Sequence, residues 1–221
     1  MALAIFDLDN TLIAGDSDYS WGEFLVAQGK VDASVYREKN EKFYQDYQRG
    51  RLEILEYLAF ALEPLARLTR EELSVLHRQF MADVIQPMWQ PAAVQLLQKH
   101  RAQGDFLLVI TSTNRFVVEP ICARLGVDEL LATELVIEHG RYTGEVDGEP
   151  TFKEGKVRRL NAWIQTSGHS MAGSYFYSDS INDLPLLEIV DKPVAVDPDE
   201  SLSEIASHRQ WPIISLRQQN D

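Results

Sequence analysis

The chain is short of cysteine, of positive charge, of histidine and of long apolar runs, and each scarcity removes a class of protein. Its single cysteine, Cys122, cannot close an internal disulfide. The setting Pro-Ile-Cys-Ala-Arg-Leu-Gly reads as a small buried helix residue, and a reducing cytoplasm suits it. Lys and Arg number 21 against 34 Asp and Glu, a formal charge of -13. Nucleic acid and anionic membranes both require basic surface, so neither is expected as a partner. No apolar run reaches the roughly 18 residues of a membrane span. Met1 leads directly into strand-like sequence, without the basic and then apolar leader of an export signal. A cytoplasmic protein away from membranes is therefore expected. The five histidines, His77, His100, His139, His169 and His208, are scattered without ligand spacing, so no Cys/His set for zinc is present.

What the chain does have is 221 residues, 45% of them hydrophobic, enough for one domain or one domain carrying an insertion. It opens with Leu-Ala-Ile-Phe, a run that suits a strand buried on both faces. From Asp16 to Gln86 the apolar residues recur at three and four, and Gly29, Gly50 and Pro64 fall where helices should break. Beyond Pro87 helices and strands alternate. Asp105–Thr111, Ser174–Asp179, Pro193–Val196 and Pro212–Ser215 read as strands, and Glu134–Val146 as a hairpin turning at His139-Gly140. Strands separated by helices predict an α/β fold with a Rossmann-like parallel sheet and helices on both faces. The expected division is a core of residues 1–15 and 87–221, interrupted by an all-helical cap of residues 16–86. The final Arg-Gln-Gln-Asn-Asp reads as a frayed end.

Ligands of an open parallel sheet bind outside the carboxyl ends of its strands. There this sequence places Asp7-Leu-Asp9-Asn-Thr, Thr111-Ser112-Thr-Asn, and Ser-Asp179-Ser-Ile-Asn182-Asp183; the helix start Lys153-Glu-Gly-Lys156 precedes the last of these. Asp7, Asp9, Asp179 and Asp183 on one sheet edge repel one another unless a cation joins them. Magnesium, which takes hard oxygen ligands, waters and a substrate phosphate, fits this inventory. A carboxylate so held can attack phosphorus while the metal and a lysine neutralise the phosphoryl oxygens. A second aspartate two residues on can protonate the leaving alkoxide and later take a proton from water. A hydroxyl and backbone N–H groups at Thr111-Ser112, opening a helix, would hold the phosphoryl oxygens.

Asp-Leu-Asp-Asn-Thr, Thr111, Lys156 and Ser-Asp-Ser-Ile-Asn-Asp, in this order and each at a strand or helix end, resemble the four motifs of the haloacid dehalogenase superfamily. The whole chain resembles its phosphoserine-phosphatase-like phosphohydrolases. The resemblance implies Asp7 as nucleophile and magnesium ligand, and Asp9 as general acid/base that also ligates through its carbonyl. It implies Thr111 as a phosphate donor, Lys156 as partner of nucleophile and phosphate, Asp179 as a ligand, Asp183 in the outer coordination sphere and Asn182 near the phosphate. Lys153 competes with Lys156 for the motif lysine, and Lys156 is preferred because a buried helical stripe continues from it. Serine is usual in the second motif, so Thr111 and Ser112 both stand as the phosphate-facing hydroxyl.

Asp16 stands where phosphoserine phosphatases place a glutamate that meets the substrate's ammonium group. Aligning the cap on Gly50-Arg51-Leu52 puts Ala59 where those enzymes carry the arginine that holds the substrate carboxylate. The expected substrate is accordingly a small phosphomonoester that bears an amine and no carboxylate, anchored by Asp16 and by Asp18 or Glu23. Histidinol phosphate has these properties and phosphoserine is second; Arg37, Arg49 or Arg51 could restore the clamp. A receiver-like domain phosphorylated on aspartate is the reading from another class, opposed by the helical insertion and by Asp9. A monomer or a homodimer is expected.

Overall fold

The structure, a computed structural model, describes residues 2–217. Six parallel strands form the main sheet: β1 (Leu3–Phe6), β2 (Phe106–Asn114), β3 (Glu129–Thr133), β6 (Tyr175–Ser178), β7 (Lys192–Val196) and β8 (Ile213–Ile214), in the order β3-β2-β1-β6-β7-β8. A separate antiparallel hairpin pairs β4 (Leu135–Glu138) with β5 (Arg141–Val146). It turns through His139 and Gly140, both at positive φ, as a tight hairpin turn requires. The sheet is built outward from β1, first toward β2 and β3 and then toward β6 on the other side. The carboxyl ends of β1, β2 and β6 therefore meet at the point where strand order reverses, the usual crevice for a ligand.

The all-apolar β1 buries every residue because both sheet faces are covered. Phe6 joins one buried cluster with Leu107, Val109 and Val117; Leu3 and Ile5 join another with Leu108, Leu160 and Phe176. Between β1 and the rest of the sheet run α1 (Ser17–Ala27), α2 (Ala33–Gln48), α3 (Ile54–Arg67) and α4 (Arg70–Phe80). Asp16 and Asp32 cap the first two, and Thr69 and Glu72 form a reciprocal capping box on α4. The aromatics of residues 16–86 divide. Trp21, Phe24 and Phe80 belong to the same buried cluster as Phe6 and Val109, whereas Tyr36, Phe43, Tyr57 and Phe60 pack between α2 and α3. The remaining helices are α5 (Pro91–Ala102), α6 (Arg115–Leu125), α7 (Glu154–Ser167), α8 (Leu184–Leu187) and α9 (Glu200–His208).

Four details differ from the sequence reading. Pro64 does not end α3: it sits in the last turn, where only one backbone bond is lost, and the helix runs on to Arg67. Glu129–Thr133 forms an edge strand that its short, mixed sequence did not advertise. β2 does not give way to a helix at Thr111; its β-branched Thr111 and Thr113 extend the strand to Asn114, which pairs with Thr133 and then caps α6. The sequence of residues 181–190 suggests one continuous helix, whereas the structure forms a 3-10 turn over Ile181–Asp183 and a single α-helical turn over Leu184–Leu187. The frayed end lies, from residue 218 onward, outside the described residues.

Phe80 is fully buried, with ring centroids 5.1 Å from Trp21 and 5.5 Å from Phe24. Phe80→Ala should lower the stability of the whole fold by about 3–5 kcal/mol in a urea titration. A loss below about 1 kcal/mol would show that α4 does not share the core's cooperativity.

Candidate active site

Asp7 follows β1 directly, and its backbone N–H donates to the Tyr177 carbonyl at 2.9 Å, continuing the ladder with β6. The side chain is thereby fixed at the crevice. The Lys156 amine donates to Asp7 Oδ1 at 2.8 Å and to Asp183 Oδ2 at 2.8 Å, with Asp183 Oδ1 at 2.7 Å. Lys156 is fully buried in the first turn of α7, and Ser178 Oγ donates to Asp183 Oδ2 at 2.7 Å. Asp7 Oδ2 takes no hydrogen bond from the described residues. Of the two candidate lysines, Lys156 reaches Asp7; Lys153 instead donates to the Gly50 carbonyl at 2.8 Å.

Asp9 holds a different position. Its Oδ1 accepts the Ser17 N–H at 2.7 Å and its Oδ2 accepts the Thr113 hydroxyl at 2.8 Å, so the carboxyl is aimed from both sides. Thr111 is buried and its hydroxyl accepts the Thr113 N–H at 3.2 Å, whereas Ser112 and Thr113 line the cavity in front of Asp7 and Asp9. Thr11 donates to Asp179 Oδ1 at 2.9 Å. Asn182 is committed elsewhere: its amide donates to the Tyr47 carbonyl at 2.9 Å and to Ser180 Oγ at 3.1 Å, leaving only its acceptor oxygen unpaired. An acceptor does not serve a phosphate oxygen, so in this arrangement Asn182 ties α2 to the core. Asp183 is likewise occupied by Lys156 and Ser178. Asp16 lines the cavity while its Oδ1 accepts the N–H groups of Asp18 and Tyr19.

The rest of the cavity is acidic and aromatic: Asp18 beside Asp16, and Tyr19, Phe43, Tyr44, Tyr47 and Tyr57 around them, with no Lys or Arg. Ala59, expected at an arginine's place, faces outward and lines a groove with Val35, Glu56 and Glu63 on the far side of α2 and α3. Counting along the helix from Gly50 misjudged which face meets the site. Glu23 is also removed from the site, since it pairs with Arg37 at 3.1 Å on the surface. Arg49 and Arg51 are exposed and line no part of the cavity. Sequence reasoning missed Thr113 and Gly155. For Gly155 a signal existed, a glycine one residue before the motif lysine; for Thr113 only long-range pairing reveals the role.

Burial dominates the electrostatics. It raises the Asp7 carboxyl to about 7 against the pull of Lys156, with Asp183 and Asp9 adding to the rise. Asp9 also reaches about 7, through burial and then the charge of Asp16, despite the bonds from Ser17 and Thr113. Asp16 and Asp18 reach about 7 by burial as well. Asp179 is pushed well above the carboxylate range by burial and then by Asp7. For Lys156 burial favours the neutral amine, but the charges of Asp183 and Asp7 outweigh it and keep it protonated. One ammonium thus faces six carboxyl groups, Asp7, Asp9, Asp16, Asp18, Asp179 and Asp183.

This excess bears on a metal. Among the described residues no three His, Cys, Asp or Glu side chains converge into a cage. Magnesium does not need one, because one or two carboxylates, a carbonyl and waters suffice. Asp7 and Asp179 supply hard oxygens whose charges oppose each other, so the donor set fits a divalent cation.

The chain belongs to the haloacid dehalogenase-like hydrolase family, whose model matches residues 4–188. Over 219 residues it is 48% identical to a histidinol-phosphatase of Neisseria meningitidis serogroup C (strain 8013), covering 97% of this chain and 99% of that one. A solved structure of a protein of unknown function from Bordetella pertussis Tohama I is similar at 43% identity and a TM-score of 0.91, covering 98% and 99%. An aspartyl-phosphate analogue of phosphoserine phosphatase shares the fold at 19% identity and a TM-score of 0.73, covering 99% and 94%. The expected enzyme class, a phosphatase of this family, and the α/β fold both stand. No helix among the described residues is long and apolar enough to cross a membrane.

Two outcomes test the site. A Cβ on Gly155 would lie 2.1 Å from the Pro150 carbonyl oxygen, so Gly155→Ala must shift the start of α7 and withdraw Lys156 from Asp7. Turnover of a phosphate ester should fall at least about tenfold, by the arithmetic of a barrier raised by more than about 1.4 kcal/mol; full activity would show that α7 is not held in place. The second outcome concerns pH. Carboxyls whose folded values are raised bind protons more tightly folded than unfolded, so their contribution is complete at low pH and lost as pH rises through about 7. The metal-free protein should melt at a lower temperature at pH 8 than at pH 6, and a rise would contradict the assigned burial.

Proposed function

We propose that this hydrolase is a magnesium-dependent phosphomonoesterase that works through an aspartyl-phosphate on Asp7, with histidinol phosphate as substrate. One observation carries the chemistry: Lys156 holds Asp7 by a single oxygen and leaves Oδ2 free at the carboxyl end of β1. That oxygen attacks phosphorus and the bond from phosphorus to the alcohol oxygen breaks. Asp9, raised to about 7 and held by Ser17 and Thr113, gives its proton to the departing oxygen. It then takes a proton from the water that attacks the acyl phosphate, releasing inorganic phosphate and restoring Asp7. Lys156, with its charge secured by Asp183, offsets the charge on the phosphoryl oxygens, and Ser112 presents its hydroxyl from the end of β2. Thr111 acts from behind by orienting Thr113. Magnesium, held by Asp7, Asp179 and the Asp9 carbonyl, would supply the remaining neutralising charge.

The cavity supports the substrate choice. With no Lys or Arg among its lining residues, an ester carrying a carboxylate would bury that charge unpaired, which disfavours phosphoserine. An amine finds Asp16 instead. The relationship to the Neisseria histidinol-phosphatase supports the same assignment. The lone buried cysteine and the acidic surface support a cytoplasmic enzyme acting on small molecules.

Asp7→Asn should reduce kcat by at least about 10⁴, as loss of a covalent nucleophile does. Acid-quenched wild type given ³²P-labelled substrate and magnesium should retain covalent label, and Asp7→Asn should retain none. Label on the variant, or turnover undiminished by EDTA, would overturn the mechanism.

A further inference from the structure

Resting on the phosphatase reading, we infer that Asp18 and Tyr57 form a subsite for a second, flat basic group of the leaving alcohol, so that the preferred ester carries two nitrogen bases. Asp16 and Asp18 both line the cavity, yet their carboxylates are served differently. Asp16 Oδ1 accepts two backbone N–H groups at 3.0 and 2.8 Å, so the start of α1 already stabilises its charge. Asp18 lies in the first turn of α1, and its carboxylate accepts none of those groups. It is 9% exposed, its hydrogen-bond partner is the Asn114 amide at 3.4 Å, and Tyr57 lines the same cavity.

Among the described residues no Lys, Arg or His pairs with Asp18. A buried carboxylate without a cation is costly, and a cation arriving with the substrate removes that cost. The cavity narrows what the cation is. Phe43, Tyr44 and Tyr57 join Tyr19 as walls around Asp18. Such faces suit a planar ring whose charge is spread, by stacking and by cation–π attraction, better than a small, strongly hydrated ammonium. An ammonium placed on Asp16 and a nitrogen heterocycle donating N–H to Asp18 would use both carboxylates at once.

Three esters separate the groups: histidinol phosphate has an amine and an imidazole, phosphoethanolamine has an amine alone, and p-nitrophenyl phosphate has neither. The readout is the ratio of kcat/KM for histidinol phosphate to that for phosphoethanolamine. Asp18→Asn should lower that ratio by about 10- to 100-fold, the range of a charge-assisted hydrogen bond. Tyr57→Phe should lower it less, and it gives the answer if Asp18→Asn does not fold. Asp16→Asn should lower both amine-bearing esters relative to p-nitrophenyl phosphate while moving the ratio little. An unchanged ratio in both Asp18→Asn and Tyr57→Phe overturns the subsite. So does a wild type that turns over all three esters without preferring histidinol phosphate, a result that leaves the phosphatase reading intact. A wild type that hydrolyses none of the three with magnesium present overturns that reading and the subsite with it.

Discussion

The ion pair of Lys156 with Asp7 and Asp183 is the constraint around which the site is built. A lysine with about 1% exposure loses its hydration and keeps its charge only if carboxylates meet it directly. Two do, and they come from opposite sides of the crevice: Asp7 from the end of β1 and Asp183 from the turn after β6. α7 must therefore start where its first turn reaches both. Gly155 makes that possible, because the Pro150 carbonyl occupies the place of any larger side chain. Ser178 completes the arrangement by fixing Asp183 from the strand side.

Once Lys156 is committed in this way, one positive charge serves a cleft of six carboxyl groups, and the consequences divide by location. At the sheet edge the excess falls on Asp7 and Asp179, where a hard divalent cation would relieve it. In the cavity it falls on Asp16 and Asp18, for which a basic substrate is the proposed counter-charge. Asp9 lies between these regions and is held by Ser17 and Thr113. A carboxyl near neutrality, gripped on both oxygens, suits a group that must give and recover a proton at one position.

Much of this was legible in the sequence because it is local. The apolar run before Asp7, the alternation of helices and strands, and polar residues at three strand ends are patterns within ten residues, and the structure assembles them at one crevice. The choice of Lys156 over Lys153 also came from local periodicity. What escaped was set by partners far along the chain. Thr113 matters because it meets Asp9, 104 residues away, and the Asn182 amide meets the Tyr47 carbonyl, 135 residues away. Ala59 shows a different failure, since a position counted from a turn does not say which face of a helix meets the site. β3 escaped because its pairing with β2, not its composition, makes it a strand.

Two donors from the core also fix the end of α2, the helix that carries Phe43, Tyr44 and Tyr47 into the cavity wall. Asn182 donates to the Tyr47 carbonyl in the last turn of α2, which also accepts the Gly50 N–H at 2.9 Å, and Lys153 donates to the Gly50 carbonyl just beyond the helix. Cationic and amide donors there also complement the helix dipole. Because these bonds are made to backbone oxygens, they do not depend on which side chains α2 carries. The side chains of α2 seat it as well, Phe43 against Tyr57 and Phe60 and Tyr44 against Tyr19, and Asp18 and Tyr57 complete the wall from α1 and α3. The Lys156 ion pair is thus fixed by the sheet edge and α7, whereas the cavity wall is made by side chains that also pack α1, α2 and α3 together.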